Sequence, residues 1–206
     1  MPTETHGRWP WAAAALVVPA SVWACPRPPA TDPDAWVARL ALPILLAHQS
    51  EEWVRPGGFL PFCNRRLLGS DRDAWPLSER DGFHVNVTAG WGSAVAAALL
   101  WRRTAAPAAA VLWLEAGNAA MHSAMALRER RYNPGLATAA LLMAPHAALG
   151  GRVLRRSGRL SRRGAMLAAA AGIGFSAALP LAMKLRMRAG APGGEPPSLS
   201  PGRAGR

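Results

Sequence analysis

Apolar residues in this chain come in long blocks separated by short charged breaks, with no strand-like alternation and no internal repeat. That pattern predicts helices. Five blocks are long enough to matter: about residues 36–54 with a kink at Pro43, 83–101, 105–127, 135–151 and 164–183. A polar connection rich in Pro, Gly, Asp and Arg fills 55–82, and Arg102-Arg103-Thr104 breaks the second block from the third. Arg128 to Asn133 forms a tight loop, and Pro134 suits the first turn of the helix that follows. Ahead of the five, 11–24 is an apolar run shorter than the roughly 20 residues a spanning helix needs. It resembles a signal-peptide core or an interfacial anchor and is left unassigned. Residues 26–33 read as a proline-rich linker, and 189–206 as a disordered tail.

Composition sharpens the picture through clustering. Half of the chain is hydrophobic, which a soluble domain also reaches, but here the charges gather between the blocks. The net charge of +12 would suggest nucleic acid in a soluble protein. Here many of the cations, all arginine except Lys184, sit in clusters that bound apolar segments, as in the loops of a multi-pass membrane protein facing anionic lipid. The expectation is therefore an all-α, polytopic transmembrane helical bundle of about five spans (four to six). Its location is a membrane, the bacterial inner membrane, with membrane lipids as partners and no nucleic acid. The domain plan is 1–33 as apolar segment and linker, 34–154 as the membrane domain, 155–188 as arginine-rich loop and last helix, and 189–206 as tail. Arginines on both sides leave the orientation open, and Cys25 and Cys63 have no metal-ligand spacing.

The chemistry lies in three places. His48-Gln49-Ser50-Glu51-Glu52 ends the first block, and on a helix His48 shares a face with both Glu51 and Glu52. The third block carries Glu115, Asn118 and His122 within an arc of about 60° at roughly 100° per residue. Tyr132-Asn133-Pro134-Gly135 follows in the loop. If the first three blocks each cross the membrane, the first and third run parallel. His48, Glu51, Glu52, Asn118, His122, His84, Asn86 and the 132–135 loop then converge on one face. Glu115 and His146 lie deeper and form a second polar layer. Ionisable groups at such depth are costly without a partner or a use.

His48-x-x-Glu51-Glu52, Asn118-x-x-x-His122 and Tyr132-x-Pro134-Gly135, in this order on apolar helices, resemble the signature of the HXXEE domain family. The likeness covers roughly residues 36–154 and includes every signature position. It implies a small integral membrane protein with several helices. An enzymatic role has been suspected for that family, but no established activity comes with it.

Helical bundles build metal sites from Glu and His at such spacing on facing helices. The reading for this chain is a divalent metal, zinc or iron, held by His48, His122 and one or both of Glu51 and Glu52. The remaining glutamate would act as general base, Asn118 and Tyr132 would orient a lipid or other apolar substrate, and no organic cofactor is expected. The reaction, hydrolase or oxidoreductase, stays open. A shared site requires these side chains within about 8 Å, since metal–ligand bonds are near 2 Å. The plainer alternative for each is a solvated helix end for the HxxEE acids, an interhelical bond for Asn118 and His122, and interfacial anchoring for Tyr132. A second functional reading is non-enzymatic: a small transporter, proton-coupled carrier or lipid-binding module with Glu115, His122 and His146 as a protonation path. Phosphate loops, serine elbows and cysteine metal motifs are missing from the sequence.

Overall fold

The computed structural model describes residues 7–25 and 33–190. Residues 26–32 of the linker read over 26–33, residues 191–206 of the predicted tail and His6 lie outside them, and Pro33 opens a helix. Among the described residues the protein is all-helical. We label the helices α1 (Trp9–Ala24), α2 (Pro33–Trp53), α3 (59–67), α4 (Glu79–Leu100), α5 (Ala106–Glu129), α6 (136–156) and α7 (Arg162–Arg188). All five predicted blocks are helices. α4 starts four residues earlier than the apolar run because Ser78 and Asp81 form a reciprocal cap, each side chain bonding the other's backbone N–H. α7 begins at Ser161, whose hydroxyl accepts from Gly164 N at 3.0 Å, and runs on past the apolar run to Arg188. The unassigned N-terminal run is helical and packs along α2, where Trp9 meets Trp53 edge-on at 5.1 Å.

α5 is the central element and touches α2, α4, α6 and α7. Small residues let these helices approach closely: Ala38 and Ala41 of α2, Ala94 and Ala97 of α4, and Ala108 and Ala109 of α5 are buried in one cluster with Val37, Leu112 and Leu154. Where α7 crosses α5, a Cβ on Gly172 would lie 2.5 Å from Trp113 Cβ and 2.9 Å from the Ala110 oxygen, so only glycine fits. α2 and α5 run in the same direction, as the crossing argument requires. Their C-terminal ends meet at His48 and His122, and their N-terminal halves meet where Val37 and Leu112 both face Gly150. α6 returns against both, carrying Thr138 at the first level and His146 at the second.

Two helices are long and apolar enough to cross a membrane, α4 and α7, and little of either is fully buried. α2 and α5 have comparable lengths but carry buried acids and, with His48 and His122, two of the three buried histidines among the described residues. Large apolar side chains point outward, among them Leu99, Leu141, Leu149 and Ile173. The buried set, in contrast, includes His48, Gln49, Glu52, Asn64, Glu115, His122, Asn133 and His146.

Candidate metal centre

The last turns of α2 place His48 and Glu52 one turn apart, and α5 brings His122 to the same point. His48 Nε2 and His122 Nε2 each lie 3.3 Å from the same oxygen, Glu52 Oε1. One ligand atom from each of the three lies within 4.8 Å of the others, and all three residues are buried. Gly135 closes the group from the loop between α5 and α6. Its φ is +96°, and a Cβ there would sit 2.6 Å from His122 Cε1, 2.8 Å from His48 Cε1 and 2.9 Å from Glu52 Cγ. The glycine therefore serves both backbone shape and contact.

The hydrogen bonds on the far side of each ring fix which nitrogen carries hydrogen. His48 Nδ1 is 2.9 Å from Thr138 Oγ1. The Thr138 hydroxyl gives its one hydrogen to Glu51, so toward His48 it accepts, and Nδ1 must donate. His122 Nδ1 is 2.6 Å from Asn133 Oδ1, while Asn133 Nδ2 donates to the His122 backbone oxygen at 2.9 Å. The amide orientation is thus settled, and His122 Nδ1 also donates. Both neutral rings turn a bare Nε2 lone pair toward Glu52, which is itself an acceptor. Among the described residues, the one hydrogen offered to this trio by a neighbour comes from Asn118 Nδ2, 3.2 Å from His48 Nε2, and His122 Nε2 has no hydrogen-bond partner. Three such atoms together could hold a metal ion.

Glu51 has the opposite surroundings. Its carboxylate caps the start of α6, accepting from the backbone N–H of Ala137 at 2.9 Å and of Thr138 at 2.7 Å, and from the hydroxyls of Thr138 and Tyr132. An anion at a helix N-terminus is well placed electrostatically. With four donors on it, Glu51 is not brought into the His48–Glu52–His122 group. Tyr132 points at Glu51, and burial together with the Glu51 charge pushes its hydroxyl above the usual range, so it stays a donor. Gln49 is also fully buried. It takes a hydrogen bond from Trp91 Nε1 at 2.7 Å and gives one to Asn86 Oδ1 at 3.1 Å, which ties α2 to a π-helical stretch of α4.

Thr138, Asn133 and Gln49 were not singled out from the sequence. Asn133 had a signal, lying inside Tyr132-x-Pro134-Gly135, but a loop residue is read locally until its partner is known. Asn118 reaches the site through His48, whereas His84 is exposed and outside it. At the deeper level Glu115 Oε2 and His146 Nδ1 are 2.6 Å apart. A cavity of about 430 Å³, walled mainly by apolar side chains, includes Glu52, Asn118 and Glu115. Cys63 also borders it, and burial beside the Glu52 charge pushes its thiol up to about 12.

Residues 39–149 match the family described as "Protein of unknown function with HXXEE motif", and the chain belongs to that family. No curated protein matches the chain. No solved structure matches it either.

Proposed function

We propose that the protein is a metal-dependent enzyme seated in a membrane, with His48, Glu52 and His122 holding one divalent ion. The carrying observation is the count of acceptors. Two Nε2 lone pairs and Glu52 Oε1 converge, and among the described residues the neighbours offer them one hydrogen, that of Asn118. One ion satisfies all three. The spacing supports this: two atoms each about 2.1 Å from an ion at a tetrahedral angle lie about 3.4 Å apart, and both His–Glu52 separations are 3.3 Å. Two imidazoles and one carboxylate suit zinc or ferrous iron. When bound, such an ion supplies a Lewis acid with a position left open for water or substrate.

The chain's own residues do the rest. Thr138 and Asn133 hold the two rings with Nε2 turned inward, as partners beyond the ligands do in metal sites. Glu51 anchors Thr138 and is in turn held by Tyr132. Asn118, beside His48 Nε2 and on the cavity wall, is the residue placed to orient a substrate. Zinc would direct the site to hydrolysis and iron to oxidation. The apolar exterior around a polar interior supports a multi-pass arrangement of about five crossings, α2, α4, α5, α6 and α7, and an apolar substrate drawn from the lipid phase.

The test is elemental analysis of detergent-purified protein, wild type against His48→Ala and His122→Ala. Near-stoichiometric zinc or iron in the wild type, lost from both variants, is the expected result. A folded wild type that holds no metal after reconstitution would overturn the proposal.

A further inference from the structure

Glu115 lies seven residues before His122 on α5, about 10 Å along the axis. It is 3% exposed. One of its oxygens faces His146, and the other, Oε1, is buried without a hydrogen-bond partner. His146 Nε2 is 3.0 Å from the Val37 backbone oxygen, which only accepts, so Nε2 carries a hydrogen. One shared proton therefore lies between Nδ1 and Oε2. Whichever atom holds it, the pair is neutral as a whole.

A carboxyl oxygen left bare in an apolar bundle costs free energy unless a donor reaches it. Glu115 is on the wall of the same cavity as Glu52 and Asn118. The volume, about 430 Å³, falls within the roughly 300–1,000 Å³ usual for small-molecule sites. Across from α5 the wall is Phe175, Leu179 and Met183 of α7. The geometry points to a second polar contact in this cavity: a small shift of the Glu115 side chain opens Oε1, which is closed to solvent as the structure stands, and it then accepts a hydrogen bond from the hydroxyl of an amphiphile whose apolar chain lies against α7. The neutral Glu115–His146 pair selects hydroxyl over ammonium, because a buried cation would find no net countercharge there. The inference rests on the apolar-substrate part of the reading above and names its class, a hydroxyl-bearing lipid or long-chain alcohol.

The experiment uses the full chain in detergent, stripped of metal by chelation, so that its outcome is separate from that of the metal proposal. Retention of tritiated dodecanol is measured in equilibrium dialysis, with competition by unlabelled dodecanol, dodecylamine or dodecane. Saturable binding is expected, competed best by dodecanol. Glu115→Leu removes the acceptor and weakens dodecanol about tenfold, as expected for one lost buried hydrogen bond. Glu115→Gln keeps an acceptor oxygen and offers His146 an amide hydrogen, so its affinity stays within about threefold of wild type. Leu179→Trp fills the cavity from α7 without touching the polar pair and abolishes retention. It stands in if the leucine variant does not fold. No saturable binding, equal competition by dodecane, wild-type affinity in Glu115→Leu or full retention in Leu179→Trp would each overturn the inference. A protein that binds dodecanol this way yet never takes up metal would overturn the metal reading alone.

Discussion

Among the described residues two buried groupings join histidine with glutamate, and they are chemically unlike. At Glu115 and His146 one ring nitrogen donates to the Val37 oxygen and the other shares a single proton with the carboxyl group, so the pair is neutral as it stands. At Glu52 both rings have already committed their Nδ1 hydrogens, to Thr138 and Asn133, and two bare Nε2 atoms face a carboxylate oxygen. Proximity of His to Glu is common to both. What separates them is the number of hydrogens available for the acceptors present, and that number points to a metal at one level and to an internal hydrogen bond at the other.

This contrast can be broken most severely at Gly135. Gly135→Ala places a methyl group within 2.6–2.9 Å of all three cluster residues at a φ of +96°. A cost of roughly 2–4 kcal/mol is expected from strain and overpacking, read as a lower thermal midpoint together with loss of bound metal. A more selective change is Thr138→Val, which removes the acceptor of His48 Nδ1–H and a donor to Glu51 while leaving the ligands in place. Metal affinity should fall about 10- to 100-fold in a competitive chelator titration. Glu115→Gln addresses the deeper pair and should leave metal stoichiometry unchanged; a drop to the level of the His48→Ala variant would erase the distinction between the two groupings. The smallest effect concerns the thiols. Cys63 stays protonated through neutral pH because its titration is pushed up to about 12, whereas Cys25 is exposed. Mass spectrometry after brief iodoacetamide treatment at neutral pH should find Cys25 alkylated and Cys63 intact.

The helices were legible from the blocks, and so was the pairing of levels, because equal lengths of apolar helix put His48 near His122 and Glu115 near His146. The division of labour between Glu51 and Glu52 was not. Both share a face with His48 at helical spacing, and only the start of α6, an element 85 residues further on, decides which one is capped and which is left facing the rings. Gly135 was legible as turn chemistry, but its contact with all three cluster residues depends on the docking of α6. Asn133, Thr138 and Gln49 earn their places only through partners on other helices, and no local spacing marks them. The early start of α4, by contrast, is written in Ser78-x-x-Asp81, a cap that hydropathy does not register because the apolar run begins later.

The most direct measurement of the central claim is X-ray absorption at the metal edge of the reconstituted full-length protein. The account predicts a first shell with two imidazole nitrogens and a carboxylate oxygen at about 2.0–2.2 Å in the wild type, and no such shell in His122→Ala, which loses the metal. A shell of oxygen alone, or one unchanged by that substitution, would contradict it.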